Sequence, residues 1–143
     1  MKTLFALLLL ASTFTGCSNA PDKKSEEGIV APGSNTLTSI EWVEPTKDLG
    51  TIDEGQKLQI SFHLKNTGNA PLVLQSVVPG CGCTVADYPK EPIAPGKEAD
   101  ITASFDSKGR EGQQHKEITV TANTKESSQH KLTFNVMVVK AKS

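Results

Sequence analysis

Residues 58–65 read LQISFHLK, and this stretch decides the fold class of the chain. Its even positions, Leu58, Ile60, Phe62 and Leu64, are apolar, whereas its odd positions are polar. A two-residue period of this kind is typical of a β-strand that buries one face and leaves the other in water. The stretch therefore predicts a strand whose leucine, isoleucine and phenylalanine side chains pack into a core.

The same alternation returns in three later segments of the chain. The apolar positions are Ile101, Ala103 and Phe105 in the first segment, Ile118, Val120 and Ala122 in the second, and Leu132, Phe134, Val136 and Val138 in the third. Residues 71–78 form a denser apolar run, typical of a strand covered on both faces or of one that leads into a loop. Residues 40–43 are a shorter strand candidate.

Turn-forming residues separate these runs. Gly, Pro, Asn and Ser are concentrated at residues 66–71, 92–96, 108–112 and 123–129. No helical period appears after Cys17. Short strands between such turns, with a core of Val, Ile, Leu and Phe, predict an all-β fold, an antiparallel β-sandwich of about seven strands.

Length and composition limit the classes of function. The chain has 143 residues, of which 36% are hydrophobic, so it holds one modest domain and an additional segment. Its formal net charge is -1 and only 5% of its residues are aromatic. We therefore expect no nucleic-acid partner, because the chain has no excess of positive charge and few aromatic side chains on which bases could stack.

The N-terminus has the features of a secretion signal. Lys2 precedes an apolar run at residues 4–11, which is much shorter than the roughly 20 residues of a membrane-spanning helix. The sequence FTGC at residues 14–17 resembles a bacterial lipobox, which implies cleavage before Cys17 and lipidation of Cys17. The alternative is an ordinary cleaved signal followed by a chance cysteine.

This interpretation divides the chain into three parts. Residues 1–16 are the lipoprotein signal peptide, residues 17–36 are a lipid-anchored flexible tether rich in Ser, Gly, Pro and charge, and residues 37–143 are the sandwich domain. Because several acyl chains hold a protein stably on a bilayer, we expect a membrane partner through the N-terminal lipid. The expected location is the bacterial cell envelope, in the outer membrane, on its periplasmic or its surface face.

Six short phrases follow one another along the chain: DLGTIDEG at residues 48–55, FHLKNTG at 62–68, APLVL at 70–74, PGCGCT at 79–84, PIAPG at 92–96 and FDSKGR at 105–110. In their order and spacing they resemble the bacterial domain of unknown function 1573. The resemblance extends from about Trp42 to Val139. It implies an immunoglobulin-like sandwich in an exported or lipid-anchored protein, and it implies no established activity.

The one motif with its own chemistry is Cys81-Gly82-Cys83. In the oxidising envelope the pair can close on itself as a disulfide, and a strained bond of this kind is labile enough for redox exchange. Alternatively, the thiols stay reduced in a structural turn or pair with another chain. Lipidation of Cys17 leaves Cys81 and Cys83 as an even pair.

A third interpretation of the motif is a metal site. Two thiolates bind soft ions such as Cu(I) or zinc, with His63, His115 or His130 as a third ligand. The usual spacings of zinc motifs are missing, and the alternation of the strand points His63 away from the core. Cys81 and Cys83 are therefore only weak metal candidates, and no metal or other cofactor is expected.

The sequence carries no hydrolase motif and no phosphate-binding loop. Residues 106–110, DSKGR, are compatible with an anion-binding turn, but a hairpin loop with solvated charges is the preferred interpretation. We therefore expect no enzyme but an envelope lipoprotein that acts as a binding or structural module and has an envelope protein as a possible partner. The alternative is a thiol-based redox or metal-handling protein that uses Cys81 and Cys83.

Overall fold

The computed structural model describes residues 36–140, which form eight β-strands. The strands are β1 (Ile40–Trp42), β2 (Thr46–Asp53), β3 (Lys57–Asn66), β4 (Leu74–Pro79), β5 (Thr84–Asp87), β6 (Glu98–Asp106), β7 (Gly112–Ala122) and β8 (Gln129–Val139). Within the described residues, no helix is long and apolar enough to cross a bilayer. The predicted signal peptide, Cys17 and all but the last residue of the predicted tether lie outside the described part of the chain.

The strands form two four-stranded sheets that pack face to face. Sheet 1 has the order β1-β3-β6-β5, and sheet 2 has the order β2-β8-β7-β4. All neighbouring strands are antiparallel except β2 and β8, which are parallel. The predicted all-β sandwich is confirmed.

The core lies between the sheets and consists of the side chains that the alternation assigns to it. Phe62 on β3, Phe105 on β6 and Phe134 on β8 have no solvent-accessible surface. The rings of Phe105 and Phe134 join the two sheets, with centroids 5.6 Å apart in an edge-to-face arrangement. Aromatic pairs in this geometry are worth about 0.5–1.5 kcal/mol beyond the area that they bury.

On its outer face, sheet 1 matches opposite charges across β3 and β6. Lys57 lies opposite Asp106, His63 opposite Asp100, and Lys65 opposite Glu98. Their charged atoms are 3.6 Å, 3.1 Å and 3.7 Å apart, respectively. A shift of one residue between β3 and β6 would separate these opposite charges, so the pairs favour the observed register.

A short crossover closes each side of the sandwich. Residues 43–45 join β1 to β2, which are the edge strands of sheets 1 and 2 on one side. On the other side, residues 80–83 join β4 to β5, which are the opposite edge strands. The cysteine motif therefore lies where the chain passes from one sheet to the other.

The structure differs from the expectation of about seven antiparallel strands in two respects. It contains eight strands, because β2 and β5 also form, and β2 runs parallel to its neighbour. Strand β2 carries mostly exposed side chains and shifts its register between Asp48 and Thr51. The dense apolar run at 71–78 enters a strand only at Leu74, because Leu72 instead forms an isolated bridge with Ile93.

Candidate functional site

The crossover loop, defined as residues 80–83, begins where β4 leaves β7. The Gly80 N–H donates a hydrogen bond of 2.9 Å to the Glu117 carbonyl, beyond the last residue pair of the two strands. A Cβ atom at position 80 would lie 3.2 Å from that carbonyl oxygen, closer than most real Cβ contacts. Glycine at this position therefore allows the chain to pass close to β7 before it turns toward sheet 1.

Cys81 and Cys83 are joined in a disulfide, with their Cα atoms 5.4 Å apart. The Thr84 N–H donates to the Cys81 carbonyl at 3.3 Å, and the Asp106 N–H donates to the Cys83 carbonyl at 3.1 Å. Cys83 packs partly against the core, whereas Gly82 is exposed. The loop is thus held by hydrogen bonds to β5, β6 and β7, and its redox state in the envelope stays a prediction.

The three histidines do not join the cysteine pair. His63 contacts Asp100 and Glu98, while the His115 Nδ1 lies 2.7 Å from the Asn135 Oδ1. The His130 Nε2 lies 2.7 Å from the Thr124 Oγ1. Among residues 36–140, no group of three His, Cys, Asp or Glu side chains is placed to hold a metal ion. The third ligand that the metal interpretation requires is therefore not supplied by these histidines.

His63 is instead part of an exposed charge cluster on sheet 1. Its Nδ1 lies 3.1 Å from an Asp100 oxygen, and its Nε2 lies 3.3 Å from a Glu98 oxygen. The hydrogen bond to Asp100, with a smaller contribution from Glu98, raises the pKa of His63 above its ordinary 6.5. Hydrogen bonds from Ser61 and then from His63 lower the pKa of Asp100. The cluster favours a protonated histidine between two carboxylates.

Two exposed valines flank the crossover loop on the edge strands. Val78 near the end of β4 is 56% exposed, and Val85 on β5 is 69% exposed. Each lies on the outer face of its own sheet, since its neighbours Val77 and Thr84 are buried. Large apolar side chains on strands that lack a second neighbour are features of a protein-binding edge.

Strand β7 is longer than β4 and continues past the crossover loop. Its residues from Gly112 to Lys116 pair with β8 on one side, whereas β4 reaches only Ile118 on the other. We define residues 112–116 as the uncovered edge of β7. The sequence did not reveal this edge, because its residues, GQQHK, are polar at every position except the glycine and so have no apolar period.

Lys116, on the uncovered edge, points into the space between the sheets. It is in phase with the buried Ile118 and Val120, and its Nζ lies 5.9 Å from the centroid of the Phe105 ring. Burial, and then the nearby positive charge of Arg110, lowers the pKa of Lys116. None of the ion pairs within the described residues includes Lys116.

At the opposite end of the sandwich, Asn66 holds the loops together. Its Nδ2 donates to the carbonyls of Ala70 and Ile93, both at 2.8 Å. Its Oδ1 accepts from the Thr38 hydroxyl at 2.9 Å and from the Gly68 N–H at 3.1 Å. Sequence reasoning assigned Asn66 only to a turn, although its even position continues the buried phase of β3. The available signal in the sequence was a polar residue at a position that the alternation of β3 predicts to be buried.

Asn123 has a matching role in the loop between β7 and β8. Its Oδ1 accepts from the Val73 N–H at 2.7 Å, and its Nδ2 donates to the carbonyls of Thr36 and Pro71 at 2.8 Å and 3.0 Å. We define Thr38, Asn66, Asn123 and the loops that they join as the amide end. Since their hydrogen-bonding groups are used within the fold, we assign these residues to structure.

Comparison with solved structures identifies domains of the same fold. A protein of unknown function from Porphyromonas gingivalis W83 is 18% identical, with a TM-score of 0.64, and the match covers 75% of this chain and 50% of that chain. The secreted serine protease VesC from Vibrio cholerae is 16% identical, with a TM-score of 0.55, and the match covers 75% of this chain and 24% of that chain. The chain thus spans at most half the length of these two proteins.

A third similar structure is a single domain of comparable size. The ASH/PapD-like domain 7 of human CEP192 is 12% identical, with a TM-score of 0.58, and the match covers 82% of this chain and 98% of that domain. At such identities these likenesses establish the fold, which is immunoglobulin-like and close to the PapD-like variant. A comparison with curated protein sequences finds no significant match.

A family model provides the closer relationship. The model described as Protein of unknown function (DUF1573) matches residues 40–138, which is more than half of the chain. This range contains all of the phrases on which the sequence resemblance rests. The chain therefore belongs to the DUF1573 family.

Proposed function

We propose that this protein is a lipid-anchored component of the bacterial cell envelope and that its sandwich binds a protein partner. The proposed binding surface, named the crossover side, consists of β4, the crossover loop, β5 and the uncovered edge of β7. The observation that carries the proposal is the exposure of Val78 and Val85 on two edge strands joined by one short loop. Edge strands of this kind bind partners through their unpaired backbone groups.

The disulfide supports this role by fixing the surface. With Cys81 bonded to Cys83 and both carbonyls hydrogen-bonded to neighbouring strands, the crossover loop has few alternative conformations. A surface that is rigid before binding loses less conformational entropy when a partner docks. The cysteine pair therefore has a structural use that does not depend on redox chemistry.

The alternative function, thiol redox exchange by the same pair, makes a different prediction. In that case the disulfide is reduced and re-formed during the working cycle, so replacing both cysteines abolishes function even when the surface is intact. In the binding proposal, the double serine variant keeps most of its function, because the contacts are made by strands and not by sulfur.

Site-specific photo-crosslinking in cells tests the binding surface. A photoreactive residue at position 78 or 85 is expected to give a discrete crosslinked adduct of higher mass. The same residue at position 59, an exposed position on the outer face of β3, serves as the matched control. Equal labelling at all three positions, or labelling at none, would contradict the proposed surface.

The anchor is tested separately by mass spectrometry of the mature N-terminus. We expect an acylated Cys17, and we expect Cys17→Ser to move the protein from the membrane fraction to the soluble fraction. A mature terminus without lipid would overturn the anchoring proposal, whatever the outcome of the crosslinking experiment.

A further inference from the structure

The backbone of the uncovered edge of β7 is oriented for the addition of another strand. The Glu117 carbonyl points toward the β4 side, since it accepts the Gly80 N–H. Backbone groups along a strand alternate in direction, so Gln113 and His115 point their N–H and C=O groups to the same side. Outside the strand ladders, no backbone hydrogen bond within residues 36–140 involves Gln113 or His115. An incoming extended segment therefore finds two residues ready to pair.

The side chain beside this edge restricts which segment can bind. Lys116 points inward, is half-buried and lies above the Phe105 ring. An inward-pointing charge at a sheet edge disfavours the addition of an entirely apolar strand, because the charge would lose water without gaining a partner. A segment that supplies a carboxylate at this position gains a charge-assisted hydrogen bond instead.

The surrounding charges also favour an anionic partner. Arg110, in the loop between β6 and β7, lies near enough to Lys116 to influence it electrostatically. Glu117, the next residue along β7, forms an ion pair with Lys131 at 3.1 Å and faces the outer side of the sheet. On the inner side of the uncovered edge, Lys116 is therefore a positive charge that no carboxylate of the described residues pairs at 4 Å or less.

We propose that the uncovered edge of β7 is a docking site for an extended peptide segment whose carboxylate faces Lys116. The segment adds to sheet 2 beyond the point where the crossover loop leaves it, and its backbone pairs with Gln113 and His115. This inference deepens the proposed function by naming the chemical class of the partner. It rests on one part of that function, namely that the domain binds a protein. Its occupant is an acidic strand, as distinct from an apolar one or a second copy of this chain.

The direct test uses a pair of model peptides with the chain carrying Cys17→Ser. The probe is the octapeptide TVTETVTG, blocked at both ends, in which valine and glutamate share one face of the strand. The control is TVTQTVTG, which differs only in the charge. Titration followed by amide NMR is expected to move the signals of Gln113 and His115 and to slow their hydrogen exchange. The glutamate peptide is expected to bind about tenfold or more tightly than the glutamine peptide.

A matched pair of lysine variants assigns the selectivity to one residue. Lys116→Gln is expected to lower the affinity for the glutamate peptide about tenfold and to leave that for the glutamine peptide nearly unchanged. Lys131→Gln, which removes an exposed lysine of the same sheet, is the control and is expected to change neither affinity. The amide spectrum of each variant verifies that it is folded.

Four results would overturn the inference. They are equal affinity for the two peptides, signal changes confined to β5, no change at Gln113 and His115 at millimolar peptide, and self-association of the chain through this edge.

A further variant, Lys116→Val, separates docking from simple edge protection. If it causes dimerisation while the wild-type chain binds neither peptide, Lys116 only protects the edge. Crosslinking from positions 78 and 85 with no peptide binding would leave the proposed function standing and remove the acidic partner.

Discussion

The two ends of the sandwich are stabilised by different chemistry. At the amide end, Asn66 and Asn123 hold the N-terminal segment and the neighbouring loops through buried hydrogen bonds. At the other end, which we name the cystine end, one covalent bond closes the crossover loop and leaves part of β7 uncovered. The difference indicates that the amide end contributes to stability, whereas the cystine end shapes a surface.

The core provides the reference for this comparison, because it spans both ends. Phe105→Ala removes a fully buried ring that packs on Phe134 and lies in register with Thr84 beside the cystine. We expect a loss of about 3–5 kcal/mol in the free energy of unfolding, measured by urea denaturation. Gln59→Ala on the exposed face of β3 is the control, with an expected loss of about 0.5 kcal/mol or less. Equal losses for Phe105→Ala and Gln59→Ala would mean that the assignment of Phe105 to the core is wrong.

At the amide end we expect the next largest effect. Asn66→Ala removes an amide that makes four hydrogen bonds and leaves the buried carbonyls of Ala70 and Ile93 without this donor. The expected loss is about 2–4 kcal/mol, since unsatisfied buried polar groups cost about 1–3 kcal/mol each. Asn135→Ala, which removes an exposed amide bonded to His115, should cost about 1 kcal/mol or less. If Asn66→Ala lowers the free energy of unfolding no more than Asn135→Ala does, the proposed contrast between the two ends is wrong.

At the cystine end, the expected loss of stability is smaller. The disulfide closes a loop of only three residues, so it restricts the unfolded chain little. Replacing both cysteines by serine should lower the free energy of unfolding by about 1.5 kcal/mol or less, measured by the same urea denaturation. A loss as large as that of Asn66→Ala would make the cystine a main support of the fold. Loss of function in cells with stability retained would favour the redox alternative.

The smallest effects should appear as opposite pH dependences of two histidines. His63 has a raised pKa, so its interactions stabilise the fold fully below pH 6.5, and this contribution is lost as pH rises through the folded-state pKa. Burial lowers the pKa of His130, which lies near the amide end. The folded state therefore resists protonation of His130, and the contribution of this residue to the free energy of unfolding falls as pH decreases below 6.5. NMR titration should place His63 above 6.5 and His130 below it. The reverse order would contradict both assignments.

Local patterning explains which parts of the fold were predictable. Strands β3, β6 and β8 alternate along nearly their whole length, because one face of each is buried against the other sheet. Strand β2 has mostly exposed side chains and a positive φ at Gly50, and β5 has only four residues, so neither has a period long enough to recognise. Their positions depend on pairing with β8 and β6, which is tertiary information.

The candidate site was predictable only in part for the same reason. The Cys81-Gly82-Cys83 motif is visible in one line of sequence, because its chemistry is local. The uncovered edge exists because β4 leaves β7 at Gly80, and the sequence does not state the relative lengths of two paired strands. The apolar alternation begins only at Ile118, so the pairing with β8 is needed to show that β7 extends back to Lys116 and that Lys116 continues its inward phase.

The path of the first two strands determines how the domain carries mechanical load. Tension that enters at Thr36 acts first on the Asn123 amide, then on β1 in one sheet, and after residues 43–45 on β2 in the other sheet. Because β2 runs parallel to β8, a pull along its axis loads several backbone bonds at once, and these bonds resist together. For the proposed N-terminal tether, a pulling force therefore meets β1 of sheet 1 before β2 of sheet 2, and both are edge strands on the side of the sandwich opposite the crossover loop.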